Sequence, residues 1–338
     1  MLSRRLSVLA LAGVCAVPWP ASAGESAGAH DDTLDRGEVR AWLMRIHEAA
    51  GRRNFQGTFV VSTGASVSSA RIVHYCDGRN QFERIETMDG QLRRIFRHND
   101  VVHTLWPQSH LALVEQRDLM SSFPALLQGG DERIADAYEV RALGVERVAG
   151  HEANVLGIKP RDSLRFGYKL WAEKATGLLL RAEVLGEHEQ VLESSAFSEL
   201  TIGVKTQPES VLQPMSRLDG YKVLHPTLAP TRLEAEGWML RPPVPGFRQV
   251  SCVRRPLDET AEAGKTPQVL QSIYSDGLTY VSVFIEPFDA ERHLRPMQTS
   301  SGATQTMMRR LGDSWITLVG DVPMATLRLF AGALEHKN

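Results

Sequence analysis

The sequence predicts an α+β chain that is mostly β: a large antiparallel sheet followed by a smaller α+β domain. Three observations carry this. Short runs of β-branched and aromatic residues follow one another from Phe55 to Val114, parted by Asp77-Gly78, Asp89-Gly90 and Asn99-Asp100. Such dipeptides between strand-like runs signal hairpins, because a type I′ turn needs positive φ at both central residues. A second strand series runs from Tyr138 to Leu200, and a proline-rich interval then precedes a segment with its own apolar inventory. That segment, of about 100 residues, is close to the commonest domain size.

Taken in order, Met1 to Ala23 reads as a secretory signal peptide. Arg4-Arg5 precedes an apolar core from Leu6 to Val17, and Ala21-Ser22-Ala23 forms an Ala-x-Ala cleavage site. The core is too short for a membrane span. Cys15 lacks the small residue expected before a lipidated cysteine and leaves with the signal. Residues 24–34 are small and polar, a disordered leader. From Asp35 to Arg52, Val39, Trp42, Leu43, Ile46 and Ala50 recur at helical spacing, and that helix is expected to lie on the first meander.

The first strands are Phe55–Val61, Arg71–Cys76, Gln81–Glu86, Leu92–Arg97, Val101–Trp106 and Leu111–Val114. A meander of this many strands must curl, close or pack on a second layer. Asp118 to Gln128 reads as short helical turns around Pro124. The second series, with turns at Gly150-His151, Arg161-Asp162 and Thr176-Gly177, continues the same sheet. The first domain is thus 35–204. Pro208, Pro214, Pro226 and Pro230 make 205–230 a linker. The second domain, 231–338, has strands at Phe247–Arg254, Gln268–Tyr274, Thr279–Glu286, Ala303–Arg310 and Ser314–Val319 and a closing helix from Pro323, with a polar loop at 258–266.

Composition excludes some classes. Of 38 basic and 40 acidic residues, loss of Arg4 and Arg5 leaves 36 against 40, net −4, which argues against general nucleic-acid binding. Cys76 and Cys252 remain in the mature chain, read as buried thiols with a bridge the open alternative. His47, His151 and His188 each precede Glu but have no second His four residues on, so no zincin motif exists. His98 and His103 could approach across adjoining strands but lack an acid or thiol at ligand spacing. No metal and no cofactor is expected. No nucleophile elbow, Walker loop or dinucleotide fingerprint is present, and Gly312-Asp313-Ser314 reads as a turn. The basic clusters Arg93-Arg94-Arg97-His98 and Arg248-Arg254-Arg255 are solvated strand faces or contacts for an acidic partner. The apolar sheet face is either core or, in a sheet that curls without closing, a groove for an acyl chain.

The second domain carries a family resemblance. Gly237-Trp238, Pro242-Pro243-Val244-Pro245-Gly246-Phe247, Arg254-Arg255-Pro256, Tyr274-Ser275-Asp276-Gly277-Leu278 and Val319-Gly320-Asp321-Val322-Pro323 resemble, in order and spacing, the RseB/MucB family of periplasmic negative regulators of the envelope-stress sigma factor. Phe55-Gln56-Gly57-Thr58-Phe59, Trp106 and Tyr168 to Trp171 extend the likeness into the first domain. The resemblance implies a LolA/LolB-like unclosed β-barrel with covering helices. It implies a periplasmic non-enzyme that binds the periplasmic segment of a membrane anti-sigma factor of the RseA/MucA type. That binding would shield the segment from a DegS/AlgW-type site-1 protease until lipopolysaccharide or mislocalised lipid releases it. Arg254, Tyr274, Asp276 and Tyr280 are the partner-surface candidates; Phe59, Phe96, Trp106 and Tyr168 are the lipid-groove candidates. Turn chemistry for Asp276 and core packing for the aromatics are the bland readings. A lipid or lipoprotein carrier is the competing function, a secreted hydrolase the third, and a homodimer is left open.

Overall fold

Capping chemistry starts the chain's first ordered element. The computed structural model describes residues 33–64, 66–116, 134–226, 228–257 and 267–337. The expected signal peptide, nearly all of the leader, the turns at 118–128 and the loop at 258–266 lie outside these. Helix α1 (Arg36–Arg52) begins with Asp35 and Glu38 capping each other's backbone N–H groups at 2.8 Å, a reciprocal box that satisfies two end donors. The last residues of the expected leader are ordered: Leu34 N–H donates to Val140 C=O at 2.9 Å.

Twelve strands form the first sheet: β1 (Phe55–Thr63), β2 (Ser66–Cys76), β3 (Gln81–Thr87), β4 (Arg94–His98), β5 (Val101–Trp106), β6 (Leu111–Gln116), β7 (Tyr138–Val148), β8 (His151–Pro160), β9 (Gly167–Glu173), β10 (Leu179–Leu185), β11 (Val191–Ile202) and β12 (Lys222–Leu224). Their spatial order is 12-6-5-4-3-2-1-11-10-9-8-7. The second series does continue the first, joined where β11 pairs with β1, Phe55 opposite Ile202. The end strands β12 and β7 do not pair with each other, so the sheet stays unclosed. Positive φ at both central residues occurs at Ala149-Gly150, between Val148 and His151. In the Asp-Gly loops only Gly78 and Gly90 take it, and at Asn99-Asp100 only Asn99.

Among the described residues two helices cover this sheet, and α1 lies mainly on the second strand series, reaching the first meander only at its last turns, where Ala49 joins the cluster of Phe55 and Ile72. α1 packs Val39, Leu43 and Ile46 against Tyr138, Leu156 and Leu170 on the β7–β10 half. That half offers continuous apolar surface, whereas the corresponding face of the first meander carries His74, Glu83 and Arg97. The other face of the first meander is covered by α3 (Glu209–Ser216), which follows the one-turn helix α2 (Ile134–Ala137). Val211 of α3 is fully buried among Val73, Tyr75, Phe82 and Phe96. The segment expected as a linker is therefore part of the first sheet's structure: it supplies α3, and β12 pairs in parallel with β6. Pro214 removes one backbone donor within α3, and burial of Val211 with its neighbours offsets that loss.

The second sheet holds seven strands in the order 13-15-16-17-20-19-18: β13 (Ala229–Pro230), β15 (Arg248–Pro256), β16 (Gln268–Ser275), β17 (Tyr280–Pro287), β18 (Met297–Ser301), β19 (Thr304–Leu311) and β20 (Ser314–Gly320). β14 (Trp238–Leu240) and β21 (Leu334–His336) pair separately. The closing helix α4 (Met324–Ala333) follows Pro323 and buries Leu327 and Phe330 against Tyr274, Val283 and Leu318.

Candidate functional site

The two sheets meet at a buried polar junction built from a hairpin tip. After β16 the chain turns through Asp276-Gly277-Leu278-Thr279, with Gly277 at φ 102°. Asp276 Oδ1 accepts from the Leu278 and Thr279 N–H groups at 2.9 Å each, the turn role its sequence suggests. That leaves Oδ2 pointing at the first sheet, where it accepts from Arg165 Nε at 2.6 Å and from the Tyr138 hydroxyl at 2.8 Å. Leu278, at the tip, sits in the first sheet's core cluster.

Arg165, in the β8–β9 loop, is saturated in turn. Nη1 pairs with Asp162, Nη2 donates to Pro245 C=O at 2.9 Å, and the guanidinium lies 5.0 Å from the Phe247 ring centre. Gly246 is required beside it: φ is +79°, and a Cβ there would collide with the guanidinium. Burial, with Tyr168 and Asp276 adding to it, pushes the Tyr138 phenol well above its ordinary range. Burial likewise raises Tyr168.

A second contact lies at the β18–β19 turn, where Gly302 abuts Thr63 and Leu192 and Ala303 is fully buried against the first sheet's core. Asp321 accepts from Thr304 Oγ1 at 2.6 Å, and burial with this neighbouring carboxylate raises Glu193 on β11. Thr326 Oγ1, in α4, donates to Leu164 C=O at 2.8 Å. These interlocking contacts make the described residues a single compact unit. Asp276, Arg165 and the Tyr138 hydroxyl are consumed in holding the lobes together, and among the described residues of the junction no nucleophile is paired with a base and orienting group. Among the described residues no group of three His, Cys, Asp or Glu could hold a metal, and both Cys76 and Cys252 are unpaired thiols.

The four partner-surface candidates are dispersed. Asp276 is 1% exposed within the junction, and Tyr280, half-buried, opens β17 beside it, opposite Ser275. Tyr274 is buried in the second core, its ring 5.2 Å from Phe330. Arg254 reaches the surface and is bound to Glu236, Nε at 2.8 Å from Oε2. Arg254 lies opposite Leu270, six residues along β16 from Asp276, about 20 Å at strand rise. No single contact joins all four.

The lipid-groove candidates occupy different places too. Phe59 is half-buried, edge-on to Phe197 at 5.3 Å. Phe96 lies under α3, Tyr168 lies in the α1 cluster, and Trp106 ends β5, half-exposed. The basic run Arg93 to His98 is split by strand alternation. His98 stacks on Phe82 at 5.0 Å on the α3 side, whereas Arg97 is 4% exposed on the opposite face, directly across from Glu83, itself across from His74. Burial outweighs Arg97 and raises the Glu83 carboxyl to about 7; burial lowers His74. This polar row was missed because Glu and Arg in short strands read as solvent-facing. Its signal was parity: His74, Glu83 and Arg97 fall on one face once the turns fix the register.

Comparison with known proteins follows the same two-part division. The MucB/RseB N-terminal domain model matches residues 38–215 and the MucB/RseB C-terminal domain model matches 232–335. The sigma factor AlgU regulatory protein MucB of Pseudomonas aeruginosa is 30% identical over 84% of this chain and 87% of its own length. The sigma-E factor regulatory protein RseB of Escherichia coli K12 is 23% identical over 86% and 88%. A solved structure of the Pseudomonas aeruginosa MucA/MucB complex aligns at TM-score 0.66 and 26% identity, covering 89% of this chain and 99% of that one. The chain belongs to the MucB/RseB family across both of its sheets.

Proposed function

We propose that this chain regulates a sigma factor by binding the periplasmic segment of a membrane-bound anti-sigma factor. The observation that carries the reading is the match over both lobes to a relative whose structure is that of a MucA/MucB complex. A fold likeness in one sheet alone would not carry it; here family models match both lobes, which Arg165 and Asp276 join in this chain. In this reading the chain works in the periplasm, shields the segment from site-1 proteolysis and keeps the sigma factor inactive.

Release by lipopolysaccharide or mislocalised lipid then follows as linkage. A lipid that binds the released form better than the complex weakens the partner contact by the same factor. Arg45, Arg52 and Arg53, with the carboxylate of Glu48 among them, line a hollow of about 310 Å³ beside the end of α1; the net positive charge of this lining supports an anionic headgroup as the lipid's anchor. The test is capture from a periplasmic extract with identification by mass spectrometry. Recovery of a single-pass anti-sigma factor supports the proposal; recovery of acylated lipoproteins in its place would make the chain a carrier.

A further inference from the structure

Six sheet edges exist among the described residues, and five are guarded; β14 and β21, which pair only with each other, have three residues each. β7 carries a register shift at Ala142/Val145 and is covered by Thr33 and Leu34. β12 has three residues, and β13 has two and ends in Pro230. Short length, bulges, proline and covering chain are the usual protections against strand addition. β18 has none of them: five residues, Met297-Gln298-Thr299-Ser300-Ser301, all exposed, uncharged and paired with β19 without a register shift.

The register says which backbone groups face outward. Ser301 lies opposite Thr304 across the two-residue turn Gly302-Ala303, so this pair is hydrogen-bonded and such pairs recur at every second residue. Met297, Thr299 and Ser301 therefore bond inward to β19, and Gln298 and Ser300 present N–H and C=O to the outside. Around this edge stand exposed apolar side chains, Leu294 at 82%, Leu329 at 46% and Met297 at 42%. Arg328 of α4 donates to Gln298 Oε1 at 2.9 Å. Among the described residues, Arg295, Arg309 and Arg328 have no carboxylate within ion-pair distance, whereas Arg254 and Arg292 do.

We propose that β18 takes up an extended, acidic segment of a partner polypeptide as an eighth strand of the second sheet. Main-chain hydrogen bonds would supply the affinity and alternate side chains the specificity. Residues turned toward α4 would meet Arg328 and Leu329, and those turned away would meet Met297. A second copy of this chain is a poorer occupant, because pairing two β18 edges would set their arginines against one another. The inference rests on the functional proposal in one respect: the segment is assigned to the anti-sigma factor.

Amide hydrogen exchange at Gln298 and Ser300 tests it, measured on the chain alone and mixed with the recombinant periplasmic region of the captured anti-sigma factor. Exchange at both amides is expected to slow at least about tenfold in the complex. Ser300→Pro removes one outward N–H and no β18–β19 ladder bond, together with the hydroxyl that accepts from Gln305 Nε2 at 2.9 Å; it should weaken binding about tenfold or more relative to Ser300→Ala, which loses the same hydroxyl and keeps the N–H, with the same melting temperature as that variant. A complex with unprotected β18 amides overturns strand addition alone, and does so whether or not the proline variant folds. Protection of these amides in the chain alone at high concentration would give the edge to a second copy and also overturn it. If no complex forms, the functional reading falls and this one with it.

Discussion

Arg165 Nε donates to Asp276 Oδ2 at 2.6 Å, and both side chains are 1% exposed. One residue comes from the β8–β9 loop and the other from the β16–β17 hairpin, so this desolvated ion pair joins the two sheets, beside the Thr326–Leu164 bond and the seating of Leu278 and Ala303 in the first core. The pair's net contribution is small, because desolvation offsets most of the attraction, but loss of one partner strands the other charge.

Asp276→Ala should therefore cost about 3–5 kcal/mol in urea unfolding, the usual range for breaking a buried pair. Replacing both partners, as in Arg165→Met with Asp276→Leu, should recover much of that loss. A single variant costing under about 1 kcal/mol would mean that the junction is not held by this pair.

Glu83 predicts a pH dependence. The native state keeps its proton up to about 7, and an unfolded glutamate releases it near its ordinary 4.5. Between those values the native state binds more protons, so this contribution to stability is complete at low pH and is lost as pH rises through 7. His74, held below its ordinary value by burial, acts oppositely: its contribution is lost as pH falls below 6.5. Comparing melting temperatures of wild type and Glu83→Gln from pH 5 to 8 isolates the first effect. The variant should lack the wild type's decline between pH 5 and about 7; parallel curves would contradict the assignment.

Val211→Ala tests the place of α3. Two buried methyl groups at about 0.8 kcal/mol each, plus the cavity left behind, predict a loss of roughly 1.5–3 kcal/mol. Amides of β3 to β5 should exchange faster in this variant. An effect near zero would return 205–230 to the role of linker.

The unpaired cysteines give a simple expectation. A chain beginning at Asp32 should titrate two thiols under denaturing, non-reducing conditions, and reductant should leave its melting temperature unchanged. Absence of any titratable thiol would reveal a Cys76–Cys252 bridge.

Local signals in the sequence were legible and non-local ones were not. The helix after Asp35, the strand Val101–Trp106 and the helix after Pro323 follow from helical spacing of apolar residues, a β-branched and aromatic run between turns, and proline placement, and the structure has each of them. Asp276-Gly277 reads as a turn, and it is one. Its second carboxylate oxygen finds Arg165 111 residues away, which no local pattern encodes. β18 escaped notice because Met-Gln-Thr-Ser-Ser has neither alternation nor β-branched density; pairing with β19 alone makes it a strand. The interval 205–230 misled for a related reason: prolines mark where regular structure is interrupted, not where packing stops.

The central claim is that this chain shields an anti-sigma factor. Site-1 cleavage of that factor's periplasmic region by a DegS-type protease, timed with and without an equimolar amount of this chain, tests it most directly. The account predicts that cleavage slows at least about tenfold and is restored by lipopolysaccharide, consistent with a coupling of 1–3 kcal/mol between the two ligands. Cleavage at the same rate with and without the chain would contradict it.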